Sequence, residues 1–232
     1  MRVHLDPRLP WSYLRGLEPV SFCDWPGRIV SVLFLGGCNL RCPTCHNRSL
    51  ALRPETLAPI PRQEIFRLLQ ARQGWIDGLV ITGGEPTTVP GLKELLGELA
   101  DLDFPMKLDT NGLEPETVKD LVENDLVQAF AVDVKGPWRK YPELTGGACS
   151  PDRARRSLET IFGLAVDAPE RFRFRLTEVP ALTAEDIVEA EAYLPQGFTL
   201  QRQSYRPVPD TSEANPDTAP PEEAAEARAA RS

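Results

Sequence analysis

The chain has 232 residues, 41% of them apolar and 26% charged, which fits one compact domain and leaves little for a second. Its longest apolar runs fall well short of the ~20 residues that cross a bilayer, and Arg2, His4, Asp6 and Arg8 break up any secretory leader, so a cytoplasmic protein without a membrane span is expected. The formal charge of −8, from 26 basic and 34 acidic residues, supplies no global basic field for nucleic acid.

In chain order, the β-branched run 29–35, closed by Gly36-Gly37, predicts a buried strand. Apolar repeats at Ile65, Phe66, Leu68 and Leu69 predict a helix over 63–72, followed by a strand at 78–81. Helix and strand then alternate: helix 90–100, strand 105–108, helix 115–123, strand 129–134, helix 152–166, strand 172–177, helix 184–193 and a last strand at 198–202. Alternation of this kind predicts a parallel sheet whose active site lies at the strand C-termini. Residues 207–232 hold six acidic residues, five Pro and seven Ala, with Val208 the only larger apolar side chain. Such a segment buries too little surface to offset the entropy of ordering, so a disordered acidic tail is predicted beyond a folded domain at 1–206.

Five cysteines in a chain of this kind argue against a disulfide framework. Cys38, Cys42 and Cys45 form a C-x₃-C-x₂-C loop at the end of the first predicted strand. Three thiolates on one short loop suit a metal centre. Zinc would need a fourth ligand from His46, Cys23 or Cys149, at awkward spacing. A [4Fe–4S] cluster normally takes four thiolates, so three leave one iron open to a substrate or cofactor.

About forty residues on, Thr82-Gly83-Gly84-Glu85-Pro86 closes the next predicted strand. The pair of motifs resembles the radical S-adenosylmethionine (SAM) superfamily. Asp24-Trp25-Pro26-Gly27-Arg28 ahead of the first strand, with the phrase from Cys38 to Asn47, resembles the activating enzymes of glycyl radical enzymes, most of all anaerobic ribonucleoside-triphosphate reductase activating proteins. The resemblance runs from about residue 17 to 205 and implies an α/β fold, a partial (β/α)₆ TIM-like barrel whose open side admits a protein segment. It further implies one [4Fe–4S] cluster on Cys38, Cys42 and Cys45, with SAM chelating the fourth iron. Reductive cleavage to a 5′-deoxyadenosyl radical would then remove hydrogen from a glycine of a partner enzyme, with flavodoxin or ferredoxin as electron donor. Gly83, Gly84 and Glu85 would meet the SAM amino group, glycine for close approach and the carboxylate as acceptor. Asp109, Thr110 and Asn111 at one strand end, and Asp133 and Lys135 at the next, match positions beside SAM in related enzymes, some of them around a monovalent cation. Read without the cysteines, Asn111-Gly112 is a generic turn and Asp133 with Lys135 a solvated ion pair.

The residue before the third cysteine is usually aromatic in this superfamily and packs near the adenine; here it is Thr44. Cys23 and Cys149 read as ordinary thiols, and His46 as a satisfied polar neighbour. Arg173, Arg175 and Glu178, with Gln201, Arg202 and Gln203, either line the barrel mouth or decorate half-buried strands. Two further readings stand beside the activating enzyme: the same chemistry on a small molecule, as in 7-carboxy-7-deazaguanine synthases, and a non-catalytic zinc-binding module.

Overall fold

A computed structural model describes residues 10–207. The predicted tail lies outside the described residues except for Pro207. A 3₁₀ turn at Pro10–Tyr13 leads into β1 (Leu14–Ser21), which pairs antiparallel with β2 (Val30–Leu35). Strands β3 (Gly78–Gly83), β4 (Met106–Thr110), β5 (Ala129–Asp133), β6 (Phe172–Glu178) and β7 (Leu200–Ser204) then add in parallel, each beside its predecessor. Sequential order of this kind is that of a barrel wall, and β1 and β7 form its two edges.

The helices of the crossovers are α1 (Arg48–Leu52) and α2 (Arg62–Gln70) after β2, α3 (Leu92–Ala100) after β3, and α4 (Pro115–Glu123) after β4. Between β5 and β6 come α5 (Tyr141–Leu144) and α6 (Pro151–Asp167), and α7 (Ala184–Glu191) precedes β7. The six predicted strands are thus β2 to β7, and the α/β partial-barrel expectation holds. The antiparallel β1 and the short α1 and α5 were not expected. Gly16 and Pro19 obscure β1, because both are poor strand formers that a bulged edge strand tolerates, and its register with β2 shifts twice. The last strand begins at Leu200 rather than 198, because Phe198 instead packs edge-on against Phe174 at 5.3 Å.

Leu33, Leu35, Leu79, Ile81, Leu108, Phe130, Phe172 and Phe174 belong to the main core that the helices cover. α6 contributes Ala154, Leu158, Ile161, Phe162 and Ala165 to it and starts from a Ser150 cap that accepts from Arg153 N–H, with Pro151 behind it. Alternation along each strand sends the neighbouring residues to the other face of the sheet. There Val30, Val32 and Val80 form a separate small cluster with Trp25 and Phe34. Trp25 lies in the β1–β2 connection, at the end of the barrel opposite the cysteines, and its ring edge is 3.1 Å from where a Cβ on Gly78 would sit. The segment 24–28 therefore plugs the lower end of the barrel. Asp77 ties it down, accepting from Ile29 N–H at 2.8 Å.

Candidate functional site

A cavity of about 240 Å³ opens at the C-terminal ends of β2 to β6, and all eleven residues singled out for a site line it: Cys38, Cys42, Cys45, Gly83, Gly84, Glu85, Asp109, Thr110, Asn111, Asp133 and Lys135. Four elements deliver them. β2 carries the cysteine loop, β3 the glycine strip, β4 the run 109–111 and β5 the Asp133/Lys135 pair.

The loop after β2 is fixed before any ligand arrives. Gly84 N–H donates to Leu35 O and Glu85 N–H to Gly37 O, both at 2.8 Å. A Cβ on Gly84 would lie 1.9 Å from Gly37 O, and one on Gly83, at φ +131°, 2.1 Å from Leu35 O. The two glycines are thus required for backbone contact between the β3 end and the chain entering the cysteine loop. On the far side, Arg41 N–H donates to Thr145 O at 3.1 Å, and Gly146 at φ +64° leaves room for Arg41 O. Asn111 donates to Asn39 at 2.7 Å, and Asn39 in turn donates to Glu114 at 3.0 Å.

Glu85 is almost wholly buried, and burial pushes its carboxyl up. Oε1 accepts from Thr87 N–H (3.2 Å), Thr87 Oγ1 (2.6 Å) and Thr110 Oγ1 (2.7 Å), while Oε2 accepts from Asn111 N–H (2.6 Å). Four donors make the side chain a tie between the ends of β3 and β4, with acceptor capacity left on Oε2 alone.

Register puts Asp133 beside Arg175, and the barrel interior carries a ladder of alternating charge. Lys107 contacts Asp109 Oδ1, and Arg175 reaches Asp109 Oδ2 at 3.0 Å. The same guanidinium meets Asp133 Oδ1 at 2.9 Å, and Lys135 meets Asp133 Oδ2 at 3.0 Å. Burial pushes the Asp133 carboxyl up, but Lys135 and Arg175 outweigh it and hold the group at about 2. Lys135 and Arg175 are displaced upward by the same pairing against their own burial.

The donor set fits an iron–sulfur cluster. Three thiols face one cavity from a rigid loop; burial pushes Cys38 up to about 11, against the pull of a Leu40 N–H on its sulfur, and raises Cys42 against the pull of Lys135. A monovalent cation beside Asp109 and Asp133 would find the charge of both carboxylates already balanced, since every oxygen of the two has a basic partner.

Sequence reasoning did not reach Lys107, Leu144, Thr177 and Val179. The last three line the cavity, and Lys107 shares the face of Asp109 by strand alternation, which was the available signal. The polar patch on the last strands divides. Arg175 joins the cavity, whereas Arg173 and Gln201 line a separate hollow and Glu178 pairs with the exposed Arg202. Thr44 and His46 line the cavity; His46 Nε2 meets Arg206 O at 2.6 Å and its ring lies 5.8 Å from that of Tyr205. Cys23 is exposed and Cys149 buried.

Comparison with known proteins agrees with this geometry. A candidate glycyl-radical enzyme activating enzyme of Methanocaldococcus jannaschii is 32% identical over 182 residues, 77% of this chain and 73% of that protein. Shorter matches join the 7-carboxy-7-deazaguanine synthase of Hyperthermus butylicus (36% over 87 residues, 37% of this chain and 36% of that protein) and the pyruvate formate-lyase-activating enzyme of Staphylococcus aureus (29% over 106 residues, 44% and 42%). SuiB of Streptococcus suis shares the fold at a TM-score of 0.56 and 21% identity, over 75% of this chain but only 39% of SuiB. No helix among the described residues is long and apolar enough to cross a membrane. The radical SAM superfamily model matches residues 32–194, and with the cysteine loop, the glycine strip and the partial barrel on one cavity, the chain belongs to the radical SAM superfamily of enzymes, whose chemistry uses a [4Fe–4S] cluster and SAM.

Proposed function

We propose that this protein activates a glycyl radical enzyme. The observation that carries the reading is the cavity itself: three cysteines and the glycine strip at its roof, an ion-pair ladder on its wall, and an unclosed sheet beside it between β1 and β7. The name of the M. jannaschii relative supports it. Cys38, Cys42 and Cys45 would hold the cluster, and Gly83, Gly84, Glu85, Asp109, Thr110, Asn111, Asp133 and Lys135 would surround SAM. Together those groups supply a 5′-deoxyadenosyl radical when bound.

This chain's residues do the positioning. The backbone contact of Gly84 and Glu85 with Leu35 and Gly37 fixes the cysteine loop against the wall. Asp133, held ionised, keeps Lys135 and Arg175 charged at the cavity surface, where a carboxylate such as that of SAM finds complementary donors. The exposed residues of β7 leave the barrel side open for a glycine-bearing loop. The first partner to test is an anaerobic ribonucleoside-triphosphate reductase, with flavodoxin or ferredoxin as electron source. The match to a 7-carboxy-7-deazaguanine synthase favours a second reading, the same chemistry on a small molecule.

The test is anaerobic reconstitution with iron and sulfide, then reduction with SAM present and the partner added. About four irons per chain, 5′-deoxyadenosine release lost in Cys42→Ala, and a glycyl radical signal on the partner are expected. Cleavage of SAM that transfers hydrogen only from a purine-like small molecule would overturn the activating role. Zinc retention without iron uptake would overturn the cluster as well.

A further inference from the structure

Lys107 is the second residue of β4 and is buried, which is rare for lysine. Its side chain is 8% exposed and that of Asp109 12%, so the pair is largely screened from bulk water. The ammonium has two acceptors, Asp109 Oδ1 and the carbonyl of Asp24 at 2.8 Å. A carboxylate oxygen and a backbone carbonyl are the donor types that a hard cation selects. The other oxygen of Asp109 is taken by Arg175, and Asp133 is shared between Arg175 and Lys135.

The charge count points the same way. Asp109 and Asp133 alone would place two negative charges in the barrel and draw in a counter-ion. With Lys107, Arg175 and Lys135 the ladder is net positive by one, so its own carboxylates leave no uncompensated charge to draw in a further cation. The carbonyl of Asp24 adds a mechanical role, since it belongs to the segment that plugs the lower barrel with Trp25.

We propose that the Lys107 ammonium is a tethered cation, taking over at Asp109 the charge that an exchangeable monovalent cation would otherwise supply, so that ligand binding in this cavity is independent of sodium and potassium. The inference rests on the SAM reading of the cavity only for its second test. The first uses metal-free protein and compares thermal unfolding in potassium chloride with tetramethylammonium chloride at equal ionic strength. Wild type should melt identically in both, whereas Lys107→Met, which keeps most of the stem and vacates the two acceptors, should be destabilised and partly restored by potassium alone. Lys107→Arg should stay indifferent to potassium. The second test measures SAM affinity of the iron-loaded protein by equilibrium dialysis. Wild type should show no potassium dependence, and Lys107→Met a dependence of about 5-fold or more.

A wild-type melting point or SAM affinity that rises with potassium overturns the proposal. So does a folded Lys107→Met protein that is destabilised but indifferent to potassium, the result expected of a merely structural lysine. Absence of SAM binding under every salt condition would instead sink the functional reading, and the melting comparison would still decide the role of Lys107.

Discussion

Gly84 shows how little freedom single positions in this site have. Its missing Cβ is what lets Gly37 O approach, so Gly84→Ala must push the glycine strip and the cysteine loop apart. We expect a loss of about 2 kcal/mol in urea unfolding of the metal-free protein and a matching fall in iron retained after reconstitution. Glu85→Ala leaves four donors facing a void and is expected to cost about 3 kcal/mol by the same measurement. The cysteines were legible from their spacing alone, whereas the glycine strip and the acids at 109 and 133 were singled out through the family resemblance, since each by itself reads as an ordinary strand-end turn or ion pair. Lys107 was not, because a lysine within a strand reads as solvent-facing until its partner is known. Glu85 was legible as a residue, whereas two of its four donors, the Thr110 hydroxyl and the Asn111 amide, come from the end of β4 about twenty-five residues away, and no local pattern announces them.

At the level of elements, β5 and β6 are joined by charge as well as by backbone pairing. Asp133 has its carboxyl lowered from 3.8 to about 2, so its ion pairs stabilise the fold fully above pH 3.8, and that contribution disappears as pH falls toward 2. The amount is about 2 kcal/mol, and Asp133→Asn should flatten the stability profile of the metal-free protein across that acid window. α7 begins at a reciprocal capping box between Thr183 and Asp186, and Asp186 also binds Arg139 and Lys140. Thr183→Ala should therefore cost about 1 kcal/mol, read by urea denaturation, with little effect on SAM cleavage. Elements with a clean period, such as β2, β3 and α6, were predicted within a few residues. β1 escaped because Gly16 and Pro19 break its alternation, and because its pairing is set by a tertiary neighbour, β2.

At the level of the whole molecule, the alternation of helix and strand gave the parallel sheet, but nothing in it says whether the sheet closes. Closure depends on the two edges. β1 brings a proline and two register shifts, and β7 has one buried residue followed by four exposed ones. β3, by contrast, has four consecutive buried residues and a paired neighbour on each side. Such a sheet is graded in local stability, and amide hydrogen exchange should report the gradient, slow at Val80 and Ile81 and fast from Gln201 to Ser204. That gradient is also a detector. A partner segment laid along the open edge would protect the β7 amides first, so the order in which protection appears would map the path of the incoming chain across the barrel mouth.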